Sequence, residues 1–154
     1  MSAEKKTASA QGKASRGKGR RLEQWLNRWV TERTGWTFER TQARGLRQRG
    51  EHGDLACTSG GWPFFTECKN REGDADVWNF HQVLQGKGPV ERWWKEAVAN
   101  AEDFLPLLVF TRNRVPVYAM VSTEGWTWWC DHFGQPPVVI VLADARRVFP
   151  MEQS

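Results

Sequence analysis

The sequence predicts an α/β domain, because helical and strand-like patterns alternate along the chain. Two segments, 21–34 and 89–104, carry apolar residues at helical spacing, and three short β-prone segments lie between them. The chain has 154 residues and a hydrophobic content of 40%, which is enough apolar material for a core. We therefore expect a single domain over residues 20–150.

The first half of this domain is predicted as one helix and three strands. The helix, residues 21–34, is indicated by five apolar residues on one face: Leu22, Trp25, Leu26, Trp29 and Val30. Gly35 ends it, and both tryptophans are expected in the core. Segments 36–40, 52–58 and 62–69 are the predicted strands. Ser59-Gly60-Gly61 is a plausible hairpin turn between the second and third strands.

The second half is predicted as a long helix followed by strands. Residues 70–88 are polar and mainly loop, with one or two helical turns within 77–84. Pro89 opens the helix over 89–104. Its apolar stripe contains Val90, Trp93, Trp94, Ala97, Val98 and Ala101. Segment 106–111 is a buried type of strand, 115–122 its predicted antiparallel partner, and 138–142 a final strand.

The most informative short pattern is Gly53-Asp54 followed by Glu67-Cys68-Lys69. Residues two apart on a strand share a face, so Glu67 and Lys69 are predicted to project together while Cys68 points away. A paired neighbouring strand would bring Asp54 alongside them. Carboxylates clustered in this way repel each other unless a cation lies between them, and their oxygens suit Mg²⁺. Beside such an ion, a lysine can orient or help deprotonate a water, or stabilise charge on a phosphate.

The same triplet has a plainer interpretation. An acid and a lysine two apart on a strand commonly form a solvated face or a weak surface ion pair. A functional interpretation is favoured by the preceding Gly53-Asp54 and by the apolar neighbours Phe64 and Phe65. It is also favoured by Glu23, which the helical pattern places at the edge of the apolar arc of the first helix, next to the buried side but not within it.

The full set of residues resembles the PD-(D/E)xK nuclease superfamily. Gly53 stands where that pattern begins with proline, a replacement expected to be tolerated because this residue only shapes the strand entrance. The resemblance implies a restriction-endonuclease-like fold, in which a central mixed β-sheet is flanked by helices.

Within that superfamily, residues 17 to about 111 are similar to the archaeal-type Holliday junction resolvases. Three stretches carry this resemblance: the opening Gly17–Glu23, the first strand after Gly35-Trp36 with Phe38-Glu39-Arg40, and the later strand Pro106–Phe110. The chain differs in its longer segment over 41–50. It also lacks a clear counterpart of the family's helix glutamine, since Gln82 and Gln85 come too early and Trp93 or Trp94 is nearer the expected place.

The resemblance implies hydrolysis of DNA phosphodiester bonds. Asp54 and Glu67 would hold one or two Mg²⁺ ions, for which Mn²⁺ can substitute, and the backbone carbonyl of Cys68 would be a further ligand. Lys69 would position or activate the attacking water, and Glu23 would complete or adjust the metal site. Since a four-way junction is resolved by two symmetric cuts, the resemblance also implies a homodimer.

Basic residues are concentrated at two places. Residues 1–21 hold seven basic side chains and one acid, a net charge of +6, so the remainder carries −2 of the total of +4. Residues 1–19 are predicted to be a disordered basic tail, which either contacts phosphates or only keeps the protein soluble. The second cluster lies in a glycine-flanked segment over 40–50, predicted as a DNA-contacting or merely solvated loop. The candidate DNA-binding residues are Arg20, Arg21, Arg40, Arg44, Arg47 and Arg49.

Other features of the sequence bear on the redox state of the cysteines and on the location of the protein. The cysteines, Cys57, Cys68 and Cys130, form no metal-binding pattern, and we expect reduced thiols in an intracellular, cytoplasmic protein with no membrane span and no signal peptide. Four aromatic residues cluster beyond the core strands: Trp126, Trp128, Trp129 and Phe133. About half of them are predicted to pack in the core, a dimer interface is the next interpretation, and stacking on unpaired bases is the last. Two alternatives to a junction nuclease stay open: a repair or restriction-like nuclease, and a nucleic-acid-binding module without catalysis.

Overall fold

A five-stranded mixed sheet lies at the centre of the computed structural model, which describes residues 20–40, 53–70, 78–112, 116–134, 138–144 and 147–149. Its strands are β3 (Phe64–Asn70), β4 (Leu105–Thr111), β5 (Tyr118–Val121), β6 (Val139–Leu142) and β7 (Arg147–Phe149), in that spatial order. The pairs β3–β4 and β5–β6 are parallel, whereas β4–β5 and β6–β7 are antiparallel. The predicted mixed sheet and the antiparallel β4–β5 pair are confirmed.

Helices cover both faces of this sheet. One layer contains α1 (residues 20–34) and α4 (Thr123–Phe133), and the other contains α2 (Phe80–Gln85) and α3 (Gly88–Ala101). In the first layer, Leu22, Leu26 and Val30 of α1 pack against alternate residues of the strands, as the helical spacing predicted. Within the described ranges, no helix is long and apolar enough to cross a membrane.

The pairing of the second strand differs from the prediction. β2 (Leu55–Cys57) pairs with β1 (Phe38–Arg40) in a separate antiparallel sheet, and the predicted β2–β3 hairpin is wrong. The connection between β2 and β3 is hydrogen-bonded to the segment before β1, where the Thr37 N–H donates to Ser59 Oγ at 2.6 Å. A Cβ at Gly60 would overlap the ring of Trp36. The small residues at 59–61 therefore let the chain pass closely over an aromatic ring.

The long helix matches its prediction at its start and differs at its end. Pro89 lies in its first turn, and it stops at Ala101, three residues before the predicted Phe104. Glu102 follows with a φ of 50°, which breaks the helical path. Val98 was assigned to the buried stripe but is 48% exposed, because it lies at the margin of the arc that faces the sheet.

Two elements of the last third were absent from the prediction. Residues 123–133 form α4, and 147–149 form β7 on the outer side of β6. Trp129 of α4 is buried and stacks on Trp29 of α1 with ring centroids 5.2 Å apart. Trp126, Trp128 and Phe133 are partly buried against the same core. The prediction that part of this aromatic group packs in the core is thus confirmed.

Candidate active site

On strand β3, Glu67 and Lys69 share one face of the sheet and Cys68 lies on the other, as predicted. The Lys69 Nζ lies 3.4 Å from Glu67 Oε1, with their side chains 15% and 9% exposed. In the register with β4, these two residues pair with Leu108 and Phe110, which belong to the α2–α3 layer. Cys68 pairs with Val109 and packs in the opposite layer, so its thiol has the packing role that the sequence predicted.

Asp54 reaches the same place from another part of the chain. The residue is only 1% exposed, and its Oδ2 accepts a hydrogen bond from the Cys68 N–H at 2.8 Å. Its own N–H donates to the carbonyl of Thr66 at 2.6 Å. Asp54 therefore lies along the edge of β3 that faces away from β4. The contact depends on one isolated parallel bridge, Gly53–Thr66, rather than on the paired strand that the sequence predicted.

The backbone of Cys68 contributes to this edge as well. In a strand, the N–H and C=O of one residue point to the same side. Because the Cys68 N–H is directed at Asp54, its carbonyl is directed at the same edge. The nitrogen that Asp54 contacts belongs to the peptide bond joining Glu67 to Cys68. The Asp54 carboxylate and the Cys68 carbonyl therefore share one edge of β3, next to Glu67 in the strand.

The oxygen donors of this group suit a cation. Asp54 and Glu67 place two carboxyl groups in a mostly buried part of the structure, with the ammonium of Lys69 beside Glu67. In the described ranges, no three His, Cys, Asp or Glu side chains lie together to hold a metal. The donors do fit Mg²⁺, which commonly takes one or two carboxylates and keeps waters or phosphate oxygens as its other ligands.

Glu23 is more buried than the sequence predicted. It was placed at the edge of the apolar arc of α1, yet it is 3% exposed and lies next to the core residue Leu22. Glu23, Asp54 and Glu67 are the buried acids of the described ranges. The role of Glu23 in a metal site stays a prediction.

The candidate DNA-binding arginines are only partly within the described residues. Arg20 and Arg21 are exposed at the start of α1. Arg40 is the last residue of β1. Arg44, Arg47 and Arg49 lie outside the described residues, as does the predicted tail over 1–19.

Neither the two tryptophans of α3 nor the cysteine thiols supply an oxygen ligand to the site. Trp93 and Trp94, near the expected position of a helix glutamine, lie on α3 and are buried in the core between α3 and the sheet. All three cysteines are free thiols, as expected. Desolvation, followed by the charge of Asp131, raises the pKa of the exposed Cys130 thiol, which disfavours the nucleophilic thiolate.

Sequence reasoning missed two contributors to the geometry. One is Gly53, which was considered a neutral replacement, although a glycine before a candidate ligand is a signal for unusual backbone geometry. The other is Thr66, whose carbonyl binds the Asp54 N–H and whose Oγ1 is 3.2 Å from the Trp62 indole nitrogen. Nothing in the sequence pattern distinguished this buried threonine.

A comparison with protein-family models gives one match. The model described as "Phage putative PDDEXK endonuclease" matches residues 14–133. The matched span contains Glu23, Asp54 and the triplet over 67–69, and it ends at the last residue of α4. It therefore extends beyond residue 111, where the resemblance detected in the sequence stopped. No curated protein and no solved structure matches the chain.

Proposed function

Since the chain belongs to the family of phage PDDEXK endonucleases and is thus a nuclease, we propose that it hydrolyses phosphodiester bonds in branched DNA with Mg²⁺ as its cofactor. One observation carries the proposal for the reaction. The carboxylate of Asp54 is held at the peptide unit between Glu67 and Cys68, and Lys69 lies beside Glu67. This arrangement supplies both oxygen ligands and a cationic side chain at one edge of the sheet.

The donors of this edge have separate roles in the proposal. Asp54, Glu67 and the carbonyl of Cys68 would hold Mg²⁺ or Mn²⁺, with Glu23 completing the site from α1. When bound, the ion supplies Lewis-acid stabilisation of charge on the phosphate. The hydrogen bond from the Cys68 N–H fixes the orientation of the Asp54 carboxylate.

Lys69 would act on the water or on the phosphate. Its ammonium has three N–H donors, and one of them suffices for Glu67. The others can orient an attacking water or neutralise a phosphate oxygen as negative charge develops. The partial burial of Lys69 strengthens such an interaction, because water screens it less than at an open surface.

The preference for branched DNA is the finer part of the proposal. It is supported by the resemblance to the archaeal-type junction resolvases at the start of α1, in β1 and in β4. The matched family model points to the superfamily and not to a junction-cleaving branch of it. We propose the four-way junction as the substrate and a homodimer as the active form, because two symmetric cuts need two related sites.

Substitutions at the site test the proposed reaction. Asp54→Asn, Glu67→Gln and Lys69→Ala should each abolish cleavage of a labelled four-way junction in Mg²⁺ while leaving DNA binding nearly intact, because affinity depends mainly on arginines at phosphates. Glu96→Gln and Lys95→Ala, both exposed on α3, are matched controls that should cleave at the wild-type rate. Wild-type rates in any of the three folded site variants would refute its assignment.

The proposed substrate preference is tested with DNA arms of the same sequence, assembled either as a branched or as a linear molecule. A four-way junction and the corresponding linear duplexes are incubated with Mg²⁺ and with a chelator, and sedimentation gives the oligomeric state. Cleavage of the junction alone supports the proposal. Equal cleavage of linear duplex indicates a repair or restriction-like nuclease. Binding without cleavage in any divalent ion indicates a non-catalytic module.

A further inference from the structure

Gly53 has a backbone conformation and a contact that together admit only glycine. Its φ is +78°, in the left-handed region that side chains disfavour. A Cβ at this position would overlap the carbonyl oxygen of Thr66 and lie 3.0 and 3.1 Å from the Thr66 carbonyl carbon and nitrogen. These are backbone atoms of a fully buried strand residue, so they cannot rotate away as a side chain would.

The close approach at Gly53 determines where Asp54 lies. The bridge between Gly53 and Thr66 brings the Asp54 N–H to 2.6 Å from the Thr66 carbonyl. The Asp54 carboxylate then accepts the Cys68 N–H at 2.8 Å. Thr66 and Cys68 flank Glu67 on β3, so the backbone and side chain of Asp54 are fixed on either side of it.

We propose that Gly53 is a positioning residue, which sets the Asp54 carboxylate beside Glu67 by allowing the main chain to approach the edge of β3. This rests on the proposed function of Asp54 as a metal-binding acid. Proline, which begins the superfamily pattern, has a φ near −65° and would not fit here. The residue therefore does more than shape the entrance of a strand, and glycine is required by this geometry.

Three variants separate the close approach from the backbone conformation. Gly53→Ala introduces both the overlap with Thr66 and an unfavourable φ. Gly53→Asn introduces the same Cβ, but asparagine tolerates positive φ better than alanine. Gly35→Ala is the matched control, because Gly35 has a φ of +72° and a Cβ there would meet no atom within 4 Å. If the overlap dominates, Asn at position 53 should be as damaging as Ala.

The hydrogen bond to Asp54 can be observed without any DNA cleavage. Labelling with ¹⁵N-cysteine gives three amide signals, from Cys57, Cys68 and Cys130. Asp54→Asn, which removes the carboxylate charge, identifies the Cys68 signal, which should lie downfield because its N–H donates to that carboxylate. In Gly53→Ala and Gly53→Asn this signal should move as it does in Asp54→Asn, and in Gly35→Ala it should stay in place. Titration with Mn²⁺ should show at least tenfold weaker binding in both Gly53 variants and wild-type binding in Gly35→Ala.

The outcomes distinguish this proposal from the one on which it rests. An unmoved Cys68 signal and unchanged Mn²⁺ affinity in folded Gly53→Ala would overturn the positioning role, and so would a Gly53→Asn protein that behaves like wild type. Circular dichroism checks the fold. A loss of folding in both Gly53 variants would also overturn the proposal, because Gly53 would then be needed for the fold itself. Wild-type cleavage by Asp54→Asn would instead refute the proposed metal site.

Discussion

Asp54, Glu67 and Glu23 are buried to an extent that carboxylates reach only with compensation. The exposed fractions of the whole residues are 1%, 7% and 3% in that order. The hydrogen bond from the Cys68 N–H and the ion pair with Lys69 contribute to the compensation of Asp54 and Glu67. Carboxylates held in this way are also suitable ligands for a cation. If the triplet were only part of a solvated strand face, its acid would be exposed to water. The burial of these acids therefore favours the functional interpretation of the triplet.

Glu23 is the residue whose role is best decided by substitution. Glu23→Gln keeps the shape of the side chain and removes its charge, so we expect junction cleavage to fall at least tenfold while the melting temperature changes little. The control is Glu32→Gln, an exposed acid on the same helix, which should alter neither quantity. Initial cleavage rates and thermal unfolding of both variants give the answer. An unchanged rate in Glu23→Gln would remove it from the site and leave Asp54, Glu67 and Lys69 in place.

A helix or strand was predictable from the sequence where its buried residues recur at a regular spacing. α1 and α3 bury one face each, and their apolar residues recur at helical spacing. The separation of Glu67 and Lys69 from Cys68 was predictable for the same reason, since a strand alternates its side chains whatever it pairs with. The pairing partner was not predictable. β2 pairs with β1 through contacts between residues 15 to 19 positions apart, which local turn chemistry does not encode.

The helix α4 was not predicted because many of its residues have low helix propensity. Thr, Trp and Cys are weak helix formers, and Gly125 lies within the first turns. Tertiary packing overrides these propensities. A Cβ at Gly125 would lie 3.1 Å from Cε1 of Phe64, so the glycine lets α4 approach β3, and Trp129 enters the core. The available signal was Ser122, a favoured N-cap residue preceding an apolar recurrence.

The N-cap of α4 yields a prediction that is independent of function. Ser122 Oγ accepts a hydrogen bond from the Gly125 N–H at 3.1 Å, so Ser122→Ala should lower the free energy of unfolding by about 1 kcal/mol. Thr127→Ala removes another hydroxyl from the same helix. Its Oγ1 donates to the Thr123 carbonyl, a bond that adds little, and alanine is the better helix former. Urea unfolding of the two variants should therefore shift in Ser122→Ala and stay level or rise in Thr127→Ala. Equal losses would contradict the capping role.

On the scale of the whole molecule, the candidate site lies at an edge of the central sheet rather than within it. β4 occupies one side of β3, and Gly53 and Asp54 meet its other side. Residues 41–52 connect Arg40, at the end of β1, directly to Gly53. The segment that carries Arg44, Arg47 and Arg49 is therefore tethered at one end immediately beside Asp54. The basic residues over 1–19 are connected instead to the start of α1.

This difference in tethering predicts different effects on DNA recognition. Each phosphate contact releases counterions, so binding should weaken steeply with salt. Replacing Arg44, Arg47 and Arg49 with alanine should lower junction affinity, reduce the salt slope and diminish the preference for junction over linear duplex. Deleting residues 1–16 should weaken binding to both DNAs alike, because the sequence predicts a disordered arm whose ordering offsets part of its electrostatic gain.

Competition binding of junction against duplex at several salt concentrations measures both effects. The two alterations remove similar charge, three arginines in one case and four basic residues in the other, so a difference in preference reflects position rather than net charge. A retained preference in the tail deletion, together with a reduced one in the arginine variant, would place branch recognition beside Asp54. If the deletion erased the preference and the arginine variant kept it, recognition of the branch would belong to the N-terminal residues, and the site at β3 would serve cleavage alone.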